Sequence, residues 1–171
     1  MEALGRLIDV VAGVAPVDLD TANGATGNRV HLKNAGGCTI VVFKGAGTAG
    51  ADPTFDLRQH TAASGGTSAD LDVIDHYYLK REASLDGDET WSRFTQAAAS
   101  EVADPGGAGT SAEEQQILVI EVEATSLADG FEWISLDVAV TAANPQLGAV
   151  LYLLRDLEVQ RAPANLANPQ A

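Results

Sequence analysis

Gln116-Ile117-Leu118-Val119-Ile120-Glu121-Val122-Glu123-Ala124 is dense in β-branched residues, and from Ile120 onward its apolar positions alternate with Glu121 and Glu123. A period of two with that composition predicts a strand with one face in a core and the other in water. Downstream, Leu127-Ala128-Asp129-Gly130 supplies a turn signal, because glycine takes positive φ without steric cost. Phe131 to Ala139 then spaces Ile134, Leu136 and Val138 around Ser135 and Asp137. These two runs are expected to pair as an antiparallel hairpin. A third run, Gly148 to Val159, does not alternate cleanly and leaves a helix open, but it reads best as a long strand buried on both faces at its start.

Working back toward the N-terminus, the pieces shorten. Arg29 to Lys33 and Cys38 to Lys44 flank Asn34-Ala35-Gly36-Gly37, a connection of hairpin length. Thr54 to His60 alternates as a strand should, and Ala69 to Ile74, His76 to Arg81 and Thr90 to Thr95 follow, with Trp91 and Phe94 as expected anchors. Loops are expected at 45–53 and 62–68, and the longest flexible one at 104–111. The opening Leu7-Ile8-Asp9-Val10-Val11 is either a strand or a short amphipathic helix, and its β-branched content favours strand.

Many short strands separated by Gly/Pro turns predict an all-β chain: an antiparallel β-sandwich or jelly-roll-like single domain. The expected division is one domain over residues 1–161, with segment 1–15 an arm or edge strand, and an extended C-terminal tail over 162–171. Both ends look uncommitted to the core, either loose or ordered on a neighbouring subunit.

Net charge is −14, from 24 acidic and 10 basic residues. Phosphate backbones are bound by clustered Lys and Arg, so nucleic acid is not an expected partner, and an anionic membrane surface is disfavoured likewise. The charge favours solubility and repulsion between free copies. The opening six residues lack a basic stretch ahead of a long apolar run, and no run approaches the ~18 apolar residues of a spanning helix. A soluble protein made in a cytoplasm is expected.

Residues able to carry chemistry are scattered. Cys38, the one cysteine, falls in a predicted strand and reads as a small buried hydrophobe. His31, His60 and His76 have no close ligand partner at metal-site spacing. Asp75-His76 lacks an accompanying nucleophile motif. Asp86-Gly87-Asp88-Glu89 offers carboxylates for a cation, yet Asp-Gly is a routine turn signal and the twelve-residue calcium pattern is missing. Gly45 to Gly50 runs into Asp52-Pro53 rather than a helix, which rejects a dinucleotide loop, and Glu113-Glu114 reads as solvated surface. No catalytic, cofactor or metal residues are assigned, and an enzyme is not expected.

Four stretches carry a family resemblance: Leu4 to Val11, Lys44 to Pro53, Val73 to Tyr78, and Gln146 to Tyr152 continuing to Gln160 to Leu166. The chain resembles small virion proteins of tailed phages of actinobacteria, encoded near the major capsid protein. The resemblance implies a structural role in the virion, with a head decoration or cement protein on the outer capsid surface as the first choice. Its implied partners are the major capsid protein and further copies of itself, a homotrimer first and a dimer next. A tail or neck subunit of the virion is the alternative. A carbohydrate-binding β-sandwich, presenting Trp91 or Trp133 to a sugar, is the second.

Overall fold

The computed structural model describes residues 3–19, 25–139 and 145–171. Eleven strands run in chain order: β1 (Ile8–Asp18), β2 (Val30–His31), β3 (Ala35–Lys44), β4 (Thr54–His60), β5 (Ser68–Asp70), β6 (Ile74–Glu82), β7 (Ser92–Ala99), β8 (Glu101–Ala103), β9 (Gln115–Glu123), β10 (Trp133–Ala139) and β11 (Leu147–Leu157). Two 3-10 turns, Ala124–Ser126 and Pro163–Asn165, accompany these strands among the described residues. One sheet has the order β1-β11-β3-β9-β6-β7; the other is β2-β10-β4-β5, with β8 also on β4. All strand pairs are antiparallel. The chain is an all-β sandwich. The pairs β3–β11, β4–β10 and β6–β9 nest inside one another and alternate between sheets, as when one long hairpin is rolled up.

The alternation read from Ile120 onward holds: Leu118, Ile120 and Val122 point inward and are buried. They meet Ile40 and Val42 of β3 and Val150 and Tyr152 of β11, and across the sandwich Phe55, Leu57, Ile134 and Leu136. Tyr152 ties the layers together. Its hydroxyl accepts the Leu136 N–H at 2.8 Å, joining β11 of one sheet to β10 of the other. Gly13 and Gly27 make room for it, since a Cβ on Gly13 would stand 2.7 Å from the ring and one on Gly27 would stand 2.9 Å from the hydroxyl.

Two expected hairpins are corrected. β9 and β10 do not pair; they lie in opposite sheets. The turn at Asp129-Gly130 is real, with Gly130 at φ +82 and the Phe131 N–H donating to Ala128 O. It sits inside a connection long enough to carry the chain over the sandwich edge, with Ala124 and Leu127 packed on the core as it crosses. β2 and β3 likewise separate, because Gly36 and Gly37 belong to β3 rather than to the turn. A Cβ on Gly37 would come within 2.5 Å of Val122 O on the neighbouring strand, so the glycine serves close approach of backbones.

The C-terminal residues, expected to be uncommitted to the core, fold back on it. Arg161 N–H donates to Gly5 O, His31 N–H to Pro169 O, and the Gln170 amide to Ala12 O. Leu166 to Pro169 close a groove floored by Asp9, Leu154 and Leu157. The segment at 104–111 is also pinned rather than loose at its end: Asp52 accepts from both Ser111 Oγ and the Ala112 N–H, and both residues are fully buried.

Candidate protein-interaction face

The third run, read as buried on both faces at its start, is buried on one. Val150, Tyr152 and Leu154 of β11 enter the core, while Leu147 and Leu151 stand in solvent at 68% and 43% exposure. Register carries this outward set across the sheet. Ala149 lies beside Phe43, which lies beside Ile117, which lies beside Lys80. One row along come Ala12, Leu151, Val41, Val119, Tyr78 and Arg93. In the next, Val10, Leu153 and Thr39 lead to Glu121. The last row brings Arg155 and Glu123 together as an ion pair.

The outer surface of the six-stranded sheet is therefore apolar over much of β1, β11, β3 and β9 and at Tyr78, bordered by Lys80, Thr39 and Glu121. Five strands and three rows span roughly 500 Å², at ~4.8 Å between strands and ~3.4 Å per residue, and the apolar part is smaller by the shares of Lys80, Thr39 and Glu121. A patch of a few hundred Å² is the size of the largest one on a typical monomer, and such patches often have a use. Val17, Phe43, Leu147 and Ala149 shape a shallow depression at one end. Trp91, expected as an anchor, is half-exposed at the opposite edge, its ring 5.3 Å from the Lys80 ammonium. Phe94 does anchor, stacked on Tyr77 at 5.3 Å. Trp133 is buried and stacked on His31, so it offers no platform to a ligand.

The groups singled out for chemistry are dispersed over the sandwich. Cys38 is fully buried, and burial pushes its thiol up to about 12, so it packs as the small hydrophobe expected. His76 Nδ1 meets Asp75 at 2.5 Å on the outer face and touches the Tyr78 ring edge-on. Asp86 to Glu89 form the β6–β7 turn, where Glu89 Oε1 accepts the N–H groups of Asp86 and Gly87. With Glu82 these carboxylates gather within 4.8 Å of one another, all at the surface. Gly47 in the glycine-rich loop packs on Gln146 and donates to Ala112 O. Glu113 and Glu114, expected to be solvated, are half-buried; their charges act on Lys44, whose ammonium bonds the Glu114 backbone carbonyl, and Glu114 also reaches Arg81 at 3.5 Å.

His60 is the histidine doing most for the fold. It is buried with Nδ1 at 2.8 Å from Ser68 Oγ and Nε2 at 2.9 Å from Ser135 Oγ, so it bridges β4, β5 and β10. Both ring nitrogens face hydroxyls, whereas a catalytic histidine is oriented by a carboxylate. Burial, and then Arg29 and Arg58, bring its pKa down to about 4. The folded state thus holds it neutral where the unfolded chain, near 6.5, takes up a proton. Its stabilisation is intact above pH 6.5 and drains away as pH falls toward 4, a loss of about 3 kcal/mol. Urea midpoints measured across that window should fall steeply for the native chain and flatten for His60→Gln.

No family model matches the chain, and no curated protein or solved structure does. The fold and face by themselves define a class: an all-β sandwich with a largely apolar outer sheet face.

Proposed function

We propose that this chain is a non-enzymatic structural protein of a tailed-phage virion, which decorates the outer surface of the capsid and stabilises the shell. The observation that supports the reading best is the outer face of the six-stranded sheet. It offers a largely apolar surface on a body whose net charge is −14, which suits association with another protein. Three of the polar groups inside the molecule have structural jobs: Tyr152 and His60 link strands, and Lys44 pins loops. The stretches resembling virion proteins support a place in the virion. Binding to assembled shells adds stability by mass action, since a ligand of the assembled state alone shifts the balance toward it.

The test is cryo-electron microscopy, with icosahedral averaging, of capsids that lack the protein after incubation with purified chain. Ordered density outside the shell at symmetry positions supports decoration. Bare shells at saturating protein overturn it and transfer the reading to a tail or neck subunit.

A carbohydrate-binding reading keeps one specific support, the half-exposed Trp91 beside Tyr78 and Glu121. An aromatic plane next to a carboxylate is a combination that stacks on and hydrogen-bonds to a sugar. A glycan array that stays blank with the native chain removes this reading.

A further inference from the structure

We propose that residues 158–171 form a strap that closes one seam of the sandwich and keeps the edge of β1 from adding a strand of a second copy. The strap acts in the free chain, whatever larger assembly the chain joins.

A sheet edge presents unpaired N–H and C=O groups that template further strands, so folds blunt their edges. Among the described residues, most edges are blunted by their own construction. In the smaller sheet β2, β5 and β8 have only two or three residues each. In β7 the register slips between the pairs Ile74–Ala99 and His76–Thr95, and Gln96 in that bulge turns its amide back to Ile74 O and Glu101 O. β1 is different. From Ile8 to Ala12 it keeps unbroken register with β11, and Asp9 is the one charge in that stretch.

Strand parity turns the backbone groups of Ile8, Val10 and Ala12 off the sheet. Those of Ile8 are taken by residues that double back: its N–H donates to Ala3 O at 3.1 Å, and its carbonyl accepts the Gly5 N–H at 2.7 Å. Ala12 O accepts the side-chain amides of Asn28 at 3.1 Å and Gln170 at 2.7 Å.

The strap holds both covers. The Arg161 N–H donates to Gly5 O at 2.9 Å and so fastens the doubled-back residues, while Gln170 caps Ala12 directly. Between these points the strap reaches the other sheet, where Pro169 O accepts the His31 N–H of edge strand β2 at 2.8 Å. It thus spans the edge strands of both sheets. Leu166 seats it in a groove with Leu154 and Leu157, and Asp9 lines the same groove. Its hold is light, since residues 158–165 are all exposed. A cover of this kind opens locally at lower cost than the core unfolds. A second copy brings the same Ile8–Ala12 strand, and edge pairing needs little side-chain complementarity because its bonds run between backbones. Turned antiparallel about a two-fold axis, the two edges meet identically.

Leu166→Asp, which sets a carboxylate in the groove that Asp9 lines, should lift the strap. Amide hydrogen exchange followed by NMR should then speed about ten-fold or more at His31 and Arg161. The Leu136 amide, held inside the core by Tyr152, should keep its native rate. Sedimentation equilibrium at matched concentration should give the variant a higher mass than the native chain. Adding Val10→Lys, a charge on the bared edge strand at a side chain already 42% exposed, should return the mass to the native value. Unchanged exchange at His31 overturns the proposal. So does a mass equal to the native one once the strap is lifted, or a rise that persists with Val10→Lys. Should the Leu136 amide show that Leu166→Asp disturbs the core, Gln170→Glu takes its place. That change is isosteric, lies at the surface and removes only the donor to Ala12 O, and the same outcomes decide.

Discussion

Tyr152→Ala should lower the free energy of unfolding by about 4 kcal/mol, the cost of emptying a fully buried aromatic site. The position concentrates several roles. The ring belongs to the core cluster, with Gly13 and Gly27 placed so that their missing side chains leave it room. Its hydroxyl accepts the Leu136 N–H across the sandwich, so truncation also strands a buried donor. Tyr152→Phe separates the two parts: it keeps the ring, loses the acceptor, and should cost about 1–2 kcal/mol. Denaturant titration of both variants gives the comparison. If Tyr152→Ala loses no more than Tyr152→Phe, the ring is not the keystone described here.

Lys44→Met should cost about 3 kcal/mol, because the ammonium is buried and bonded to structure rather than to water. Its Nζ donates to Gly45 O at 3.0 Å, Ala112 O at 3.3 Å and Glu114 O at 2.8 Å, pinning two loops to the end of β3. Methionine matches the stem but leaves three carbonyls and the nearby carboxylates of Glu114, Asp52 and Glu113 without the charge. Burial lowers the Lys44 pKa to about 8, against the pull of those carboxylates. Below pH 8 the group is charged in both the folded and unfolded chain, and the burial cost is present in full. Between about 8 and 10.5 the folded state sheds the proton first, so this residue's contribution to stability rises with pH. The native chain should therefore gain stability over that window relative to Lys44→Met. Parallel unfolding curves for the two at pH 7 and pH 10 would remove Lys44 from the account.

Much of the fold was legible before any coordinates. Period-two patterning in Gln116 to Ala124 and Thr54 to His60 comes out as β9 and β4, and the long run from Gly148 as β11. Burial of Cys38 was readable too, because a lone thiol among β-branched neighbours has nothing to activate it. The interaction face was half visible. Apolar residues at consecutive positions of β3 and β11 signal two non-aqueous faces, but the pattern cannot say whether the second faces another layer or open water. Trp91 shows the same ambiguity, since its composition suits a core anchor and its position at the β7 edge leaves it half-exposed.

What the sequence determined by itself is local: strands, turns, and which side of each strand is apolar, all consequences of backbone sterics and a side-chain period of two. Tertiary structure alone decided the partners. Asp129-Gly130 bends the chain wherever it lies, yet β9 and β10 went to opposite sheets because a long connection leaves pairing to the burial of whole faces. It also decided that residues 162–171 close a groove, that Lys44, Ala112 and Glu114 meet at one end of the sandwich, and that outward side chains from β1 to β6 join into one surface. Those contacts link residues far apart in the chain, and their energy depends on register and layer geometry that no local pattern contains.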